Sequence, residues 1–150
     1  MYSLIKLNYN TAKGDMMSDL ITELEREHKT LLETLQNVRT LGITSKEGKT
    51  MFLSAKNAFL AHLKKEDERL YPPMIKASES NIGLRNMLDT FASNMDEISS
   101  NALDFFNKYS IENASGLEFA RDFGSLFATL GSRIRKEELK LHKEFDKLHS

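Results

Sequence analysis

Four stretches of the chain carry apolar residues at alternating steps of three and four, a period that describes helices apolar along one side only. The first runs from the Ser18-Asp19 cap signal to about Thr40, with the stripe Ile21, Leu24, His28, Leu31, Leu35, Val38, and Gly42 is placed to end it at positive φ. The second opens with Thr44 and Glu47 at capping-box spacing, shows Phe52, Ala55, Phe59, His62, Glu66 and Leu70, and is expected to end at Pro72-Pro73. After a polar connection around Ser78 to Gly83, the third shows Leu84, Leu88, Phe91, Met95, Ile98, Ala102 and Phe105, up to about Lys108. The fourth begins at Ser115 with Glu118 three residues later, carries Phe119, Phe123, Leu126, Leu130, Arg133, Glu137 and Leu141, and frays near His149. Short polar joins make successive helices antiparallel neighbours. The expectation is therefore all-α, an up-down-up-down antiparallel four-helix bundle over residues 18–150 behind an N-terminal arm over residues 1–17.

Composition narrows the chemistry. A chain of 150 residues can bury a core without staples, and with Cys 0 there is no disulfide, thiol nucleophile or iron–sulfur cluster, so His, Asp and Glu are the available metal ligands. Lys and Arg number 21 against 22 Asp and Glu, net charge -1, which gives no bulk field for nucleic acid or an anionic membrane. No apolar run approaches the roughly 20 residues that span a bilayer, and the first residues lack the apolar run of a secretory signal, so no membrane partner and a cytoplasmic location are expected.

The stripes are apolar except near their middles. There His28, the pair His62 and Glu66, and the pair Arg133 and Glu137 take positions that face the core, where burial without partners costs several kcal/mol each, on the order of 2–7. Mid-length positions of antiparallel helices share a height, so these residues converge on one internal site, with Met95 as the third helix's contribution. Spacing of i and i+4 puts His62 and Glu66 on one face; with His28 and Glu137 they make two imidazoles and two carboxylates, a set that suits iron, manganese or zinc. His142, five residues after Glu137, stands about 140° further round an α-helix, which aims it at a neighbouring helix or solvent. The segment His62 to Tyr71 also aligns without gaps on Arg133 to His142, so the bundle reads as two helix pairs about a pseudo-twofold axis.

At these residues the sequence resembles the hemerythrin-like family of bacterial cation-binding bundles, the HHE domains, over about residues 18 to 148. His62-Leu63-Lys64-Lys65-Glu66-Asp67-Glu68-Arg69-Leu70-Tyr71-Pro72 is similar to the family's second-helix signature, Glu27-His28 to its first-helix Glu-His, and Arg133-Ile134-Arg135-Lys136-Glu137-Glu138 to its fourth-helix His-Ile-x-x-Glu-Glu. The resemblance implies a non-haem di-iron centre with bridging carboxylates at Glu66 and Glu137, terminal histidines including His28 and His62, and a small diatomic ligand, oxygen or nitric oxide, as partner. Two positions depart from it: Met95 stands for the third-helix histidine, allowing one residue of register with Asn94, and Arg133 for the fourth-helix one. A thioether is a poor ligand for hard iron and a guanidinium has no lone pair, so the expectation is one iron ion rather than two, with Arg133 in place of the second. Tyr71 and His142 are candidates for the surroundings of that ion.

A reading from another class stands beside this one. Leu117-Glu118-Phe119 followed by Arg133 and Glu137-Glu138 is similar to the fourth helix of the regulator of sigma D family of anti-sigma factors, over about 25 residues. That resemblance implies a metal-free interaction protein, with a buried Arg, Glu and His network and a protein partner. With no Ser/His/Asp order and no Gly-rich phosphate loop, neither reading leans toward an enzyme, and slow peroxidase or oxidase activity at a single iron stays open under the first.

Overall fold

The computed structural model describes residues 18–111 and 116–149; the proposed arm over residues 1–17 and the Ser115 cap lie outside the described residues. Helix α1 (Asp19–Leu41) starts where Ser18 Oγ accepts the Ile21 N–H at 3.3 Å, and it stops at Gly42, whose φ of 78 is open to glycine at no steric cost. Helix α2 (Lys46–Lys65) is capped by Ser45, which accepts the Gly48 N–H at 3.0 Å. The expected Thr44 cap is corrected by one residue, since Ser45 holds the extended backbone, with ψ of 156, that lets its hydroxyl reach three residues on. Gly48 is required by close approach: a Cβ there would lie 1.6 Å from the Gly42 carbonyl oxygen.

The second helix does not end at Pro72-Pro73. A π-helical turn over Glu66–Leu70 widens the chain, with the Tyr71 N–H donating to the Glu66 carbonyl, and α3 (Tyr71–Ala77) then resumes with the prolines in its first turn, where no N–H is needed. A 3₁₀ turn at Ser78–Ser80 leads to Asn81, whose side chain accepts the Leu84 N–H at 3.0 Å and opens α4 (Ile82–Ile111). Helix α5 (Gly116–Lys136) likewise passes through a π-turn, Glu137–Leu141, into α6 (His142–Lys147). The two π-turns begin at Glu66 and Glu137, the equivalent positions of the sequence echo.

Four rods result: α1, α2 with α3, α4, and α5 with α6. They pack in a ring, α1 on α2, α2 on α4, α4 on α5 and α5 on α1, so the bundle is all-α with antiparallel neighbours as expected. Its apolar core is in two parts. One holds Phe52, Phe59, Phe105, Phe106, Phe119 and Phe123 with Leu31, Leu35 and Leu130; the other holds Ile21, Leu24, Leu70, Met74, Leu88, Leu141 and Phe145 at the opposite end. Fully burying side chains of this size contributes about 1.5–3 kcal/mol each. Between the two parts lies the polar layer, because His28 separates Leu24 from Leu31, Glu66 separates Phe59 from Leu70, and Arg133 and Glu137 separate Leu130 from Leu141. Among the described residues no helix is long and apolar enough to cross a membrane.

Candidate metal centre

Six residues of the polar layer are buried: His28, His62 and His142, with Glu66, Glu137 and Arg133. His28 Nε2 lies 3.1 Å from Glu137 Oε1, and His62 Nε2 lies 3.1 Å from Glu66 Oε2. The His28 ring sits between the other two, with centroids 4.7 Å from His62 and 5.6 Å from His142. One ligand atom each from His28, Glu66, Glu137 and His142 fall within 4.8 Å of one another. A cation about 2.0–2.2 Å from every donor allows at most about 4.4 Å between two of them, so the cluster closes on an ion by a contraction of tenths of an ångström.

The placement of His142 corrects the sequence expectation. Read at α-helical pitch it points away from Glu137; the π-turn, which bonds residue i+5 to residue i, turns it back over Glu137 and buries it to 1% exposure. The equivalent turn in the second rod brings Tyr71 over Glu66, partly buried.

Each imidazole is oriented from outside by a carboxylate. His28 Nδ1 lies 2.8 Å from Glu138, His62 Nδ1 2.8 Å from Glu27, and His142 Nδ1 2.9 Å from Glu25. A carboxylate on one ring nitrogen fixes the tautomer and turns the other nitrogen inward, as around histidines that hold metals. Glu27 itself is secured by Lys65. Glu25 carries no signal in the sequence that marks it for this task, while Glu27 and Glu138 sit within the segments similar to the HHE family.

The charge states follow from these contacts. Burial lowers His62, but its hydrogen bond and charge interaction with Glu66, with help from Glu27, outweigh that and raise it to about 9. His28 is raised in the same way, burial being overcome by Glu137 and Glu138. Burial pushes Glu137 up, yet the His28 hydrogen bond and the Arg133 charge prevail and hold it at about 2. Glu66 is raised by burial. Burial also lowers His142, which keeps it neutral with Nδ1–H on Glu25. Its Nε2 then offers a lone pair into the layer, and it is the buried side-chain polar atom without a hydrogen-bond partner among the described residues. Such an atom costs about 1–3 kcal/mol, and a cation among these donors would satisfy it. The residues present thus fit a metal ion.

Arg133 fills the other side. Its Nε donates to Glu137 at 2.6 Å, NH1 to the Phe91 carbonyl at 3.0 Å and Asn94 Oδ1 at 3.1 Å, and NH2 to the Tyr71 hydroxyl at 3.2 Å. Its guanidinium carbon also stands 4.7 Å from the centre of the Phe91 ring. The third-helix residue that meets it is Asn94, whereas Met95 is partly buried and packs on the phenylalanine-rich core. Of the two residues that the register allowance covers, Asn94 is the one that α4 turns toward Arg133.

A buried layer of three outward-tethered imidazoles and two carboxylates in an antiparallel bundle is a donor set that could hold a cation. The chain belongs to the hemerythrin family: the model of the hemerythrin HHE cation binding domain matches residues 19–145. No curated protein and no solved structure matches it.

Proposed function

We propose that this protein binds one iron ion, held by the clustered His28, Glu66, Glu137 and His142 with His62 drawn in from beside Glu66, and that it binds or senses oxygen or nitric oxide, or handles iron, at that ion. The unpartnered His142 Nε2, buried among the donors, is the observation that carries the reading. Three nitrogens and two carboxylate oxygens suit ferrous or ferric iron, and five donors leave a sixth octahedral position open. When bound, the ion supplies that open position and one-electron redox chemistry to a small diatomic ligand. The chain's residues do the rest: Glu25, Glu27 and Glu138 orient the rings, the two apolar core halves exclude water, and Arg133 holds Glu137.

Arg133 also limits the stoichiometry. Glu66 and Glu137 contribute two negative charges and Arg133 one positive, so a single divalent ion leaves the layer with one positive charge in excess and a second would leave three. The guanidinium stands in for the second ion of a two-metal centre, bonded to the carboxylate that would bridge it.

A metal-free regulatory bundle is the competing reading, favoured by the pairing of His28 with Glu137 and His62 with Glu66, which satisfies four of the five groups without an ion. Metal content per chain, measured with and without oxygen and combined with an absorption spectrum from about 300 to 700 nm, separates the two. About one iron per chain is expected. No metal under either condition and no uptake on reconstitution would sink the metal reading and direct the search to protein partners.

A further inference from the structure

We propose that the cleft between α3 and α4 is the route by which a divalent cation reaches the buried layer, an inference that rests on the metal-binding reading above. The cleft encloses 420 Å³, with Asp67 and Tyr71 on the second rod and Asp89, Ala92, Met95 and Asp96 on α4. Its inner end is Tyr71, which the π-turn sets over Glu66, a donor of the centre, and whose hydroxyl accepts from Arg133 at 3.2 Å. In this route the Tyr71 ring swings aside to admit the cation.

Charge assigns the cation to this cleft. Asp67, Asp89 and Asp96 are exposed at its mouth and none forms an ion pair among the described residues, so the entrance carries three uncompensated negative charges. A second cleft, of 300 Å³ between α4 and α5, reaches Arg133 directly. It offers Lys136 and Arg133 with no acidic residue, a lining that repels a cation. Proximity favours the second cleft and electrostatics the first; for a dication passing three carboxylates the electrostatic difference decides. Met95, which also lines the acidic cleft, is a soft thioether that does not trap a hard cation on its way.

The test is the rate of cobalt(II) uptake by the metal-free full chain, followed by visible absorption in a stopped-flow instrument, with final loading measured on the same samples. Ala92→Trp narrows the acidic cleft from an exposed position, and Thr129→Trp does the same for the α4–α5 cleft. Uptake is expected to slow about tenfold in Ala92→Trp and to stay unchanged in Thr129→Trp, with equal final loading in both. In the triple variant Asp67→Asn, Asp89→Asn, Asp96→Asn, uptake should slow by at least about tenfold at low salt and lose its dependence on ionic strength, which keeps the question open to test if the tryptophan variant fails to fold. Wild-type rates in Ala92→Trp and in the triple variant, or slowing in Thr129→Trp alone, would overturn the route. A wild-type chain that takes up no cation overturns the metal reading and the route with it, and is told apart by its zero final loading.

Discussion

Glu137 and His142 lie five residues apart on one rod, yet both present a donor atom to the same buried cluster, because a π-turn separates them. His142 Nε2 is left without a partner there. Replacing the ring by one of similar shape and no nitrogen, His142→Phe, removes an unsatisfied atom and should raise the stability of the metal-free protein by about 1–3 kcal/mol. The same change should weaken cation binding by more than tenfold. Urea denaturation and a metal titration on one preparation check both; a destabilised metal-free variant would show that Nε2 is not an uncompensated cost.

The outer carboxylates give a graded counterpart. Glu25→Ala, Glu27→Ala and Glu138→Ala each leave a histidine in place but remove what orients it. Each should weaken cation affinity about 10–100-fold. All three are about a third exposed, so circular dichroism should show little loss of fold.

Arg133 is tested by restoring what it replaces. Asn94→His with Arg133→His should raise cation stoichiometry toward two per chain, whereas Met95→His with Arg133→His should do so less, since Asn94 is the residue bonded to Arg133. Arg133→Met alone leaves Glu137, Asn94 and the Phe91 carbonyl without their donor and should cost about 3–5 kcal/mol by urea denaturation. Unchanged stoichiometry in the Asn94 double variant would argue against a guanidinium standing for a second ion.

The helices and the polar layer are legible in the sequence because both follow from period: apolar residues at steps of three and four mark the rods, and charged residues on that stripe mark the layer. His28, His62, Glu66 and Glu137 fall at the height that the stripes set. His142 does not, because a stripe read at a constant α pitch loses its phase after a π-turn. Pro72-Pro73, which signals a helix end, marks the resumption of the helix after such a turn. The gap-free echo of His62–Tyr71 in Arg133–His142 carries the missing information, since a turn at Glu66 predicts one at Glu137. Thr44 against Ser45 is a one-residue difference in a cap, which only the backbone angles decide.

A prediction remote from the layer separates fold from site. In Gly48→Ala the added methyl would meet the Gly42 carbonyl, and the loop between α1 and α2 must shift to admit it. A loss of about 1–3 kcal/mol is expected by thermal or urea denaturation. Cation affinity should be unchanged, because the loop adjoins the phenylalanine-rich core half; a matching loss of affinity would mean that the two halves move as one.

The pH dependence of stability should reverse on cation binding. In the metal-free protein His62 stands at about 9 against an ordinary 6.5, so its contribution is complete below pH 6.5 and is lost as pH rises through about 9. His28, also raised, acts in the same direction. Glu137 is held at about 2 against 4.5, so its contribution is complete above pH 4.5 and is lost as pH falls toward 2. His142, lowered by burial, loses its contribution as pH falls below about 6.5, so stability without cation should be greatest near pH 6.5 and decline toward pH 9. A bound cation would take the place of the protons on His28 and His62 Nε2 and is itself displaced by acid, so the loaded protein should gain stability over the same rise from pH 6.5 to 9. Urea midpoints at fixed ionic strength, with cobalt(II) or with chelator, measure the two slopes. Parallel curves would mean that the histidines keep their protons and that the layer holds no metal.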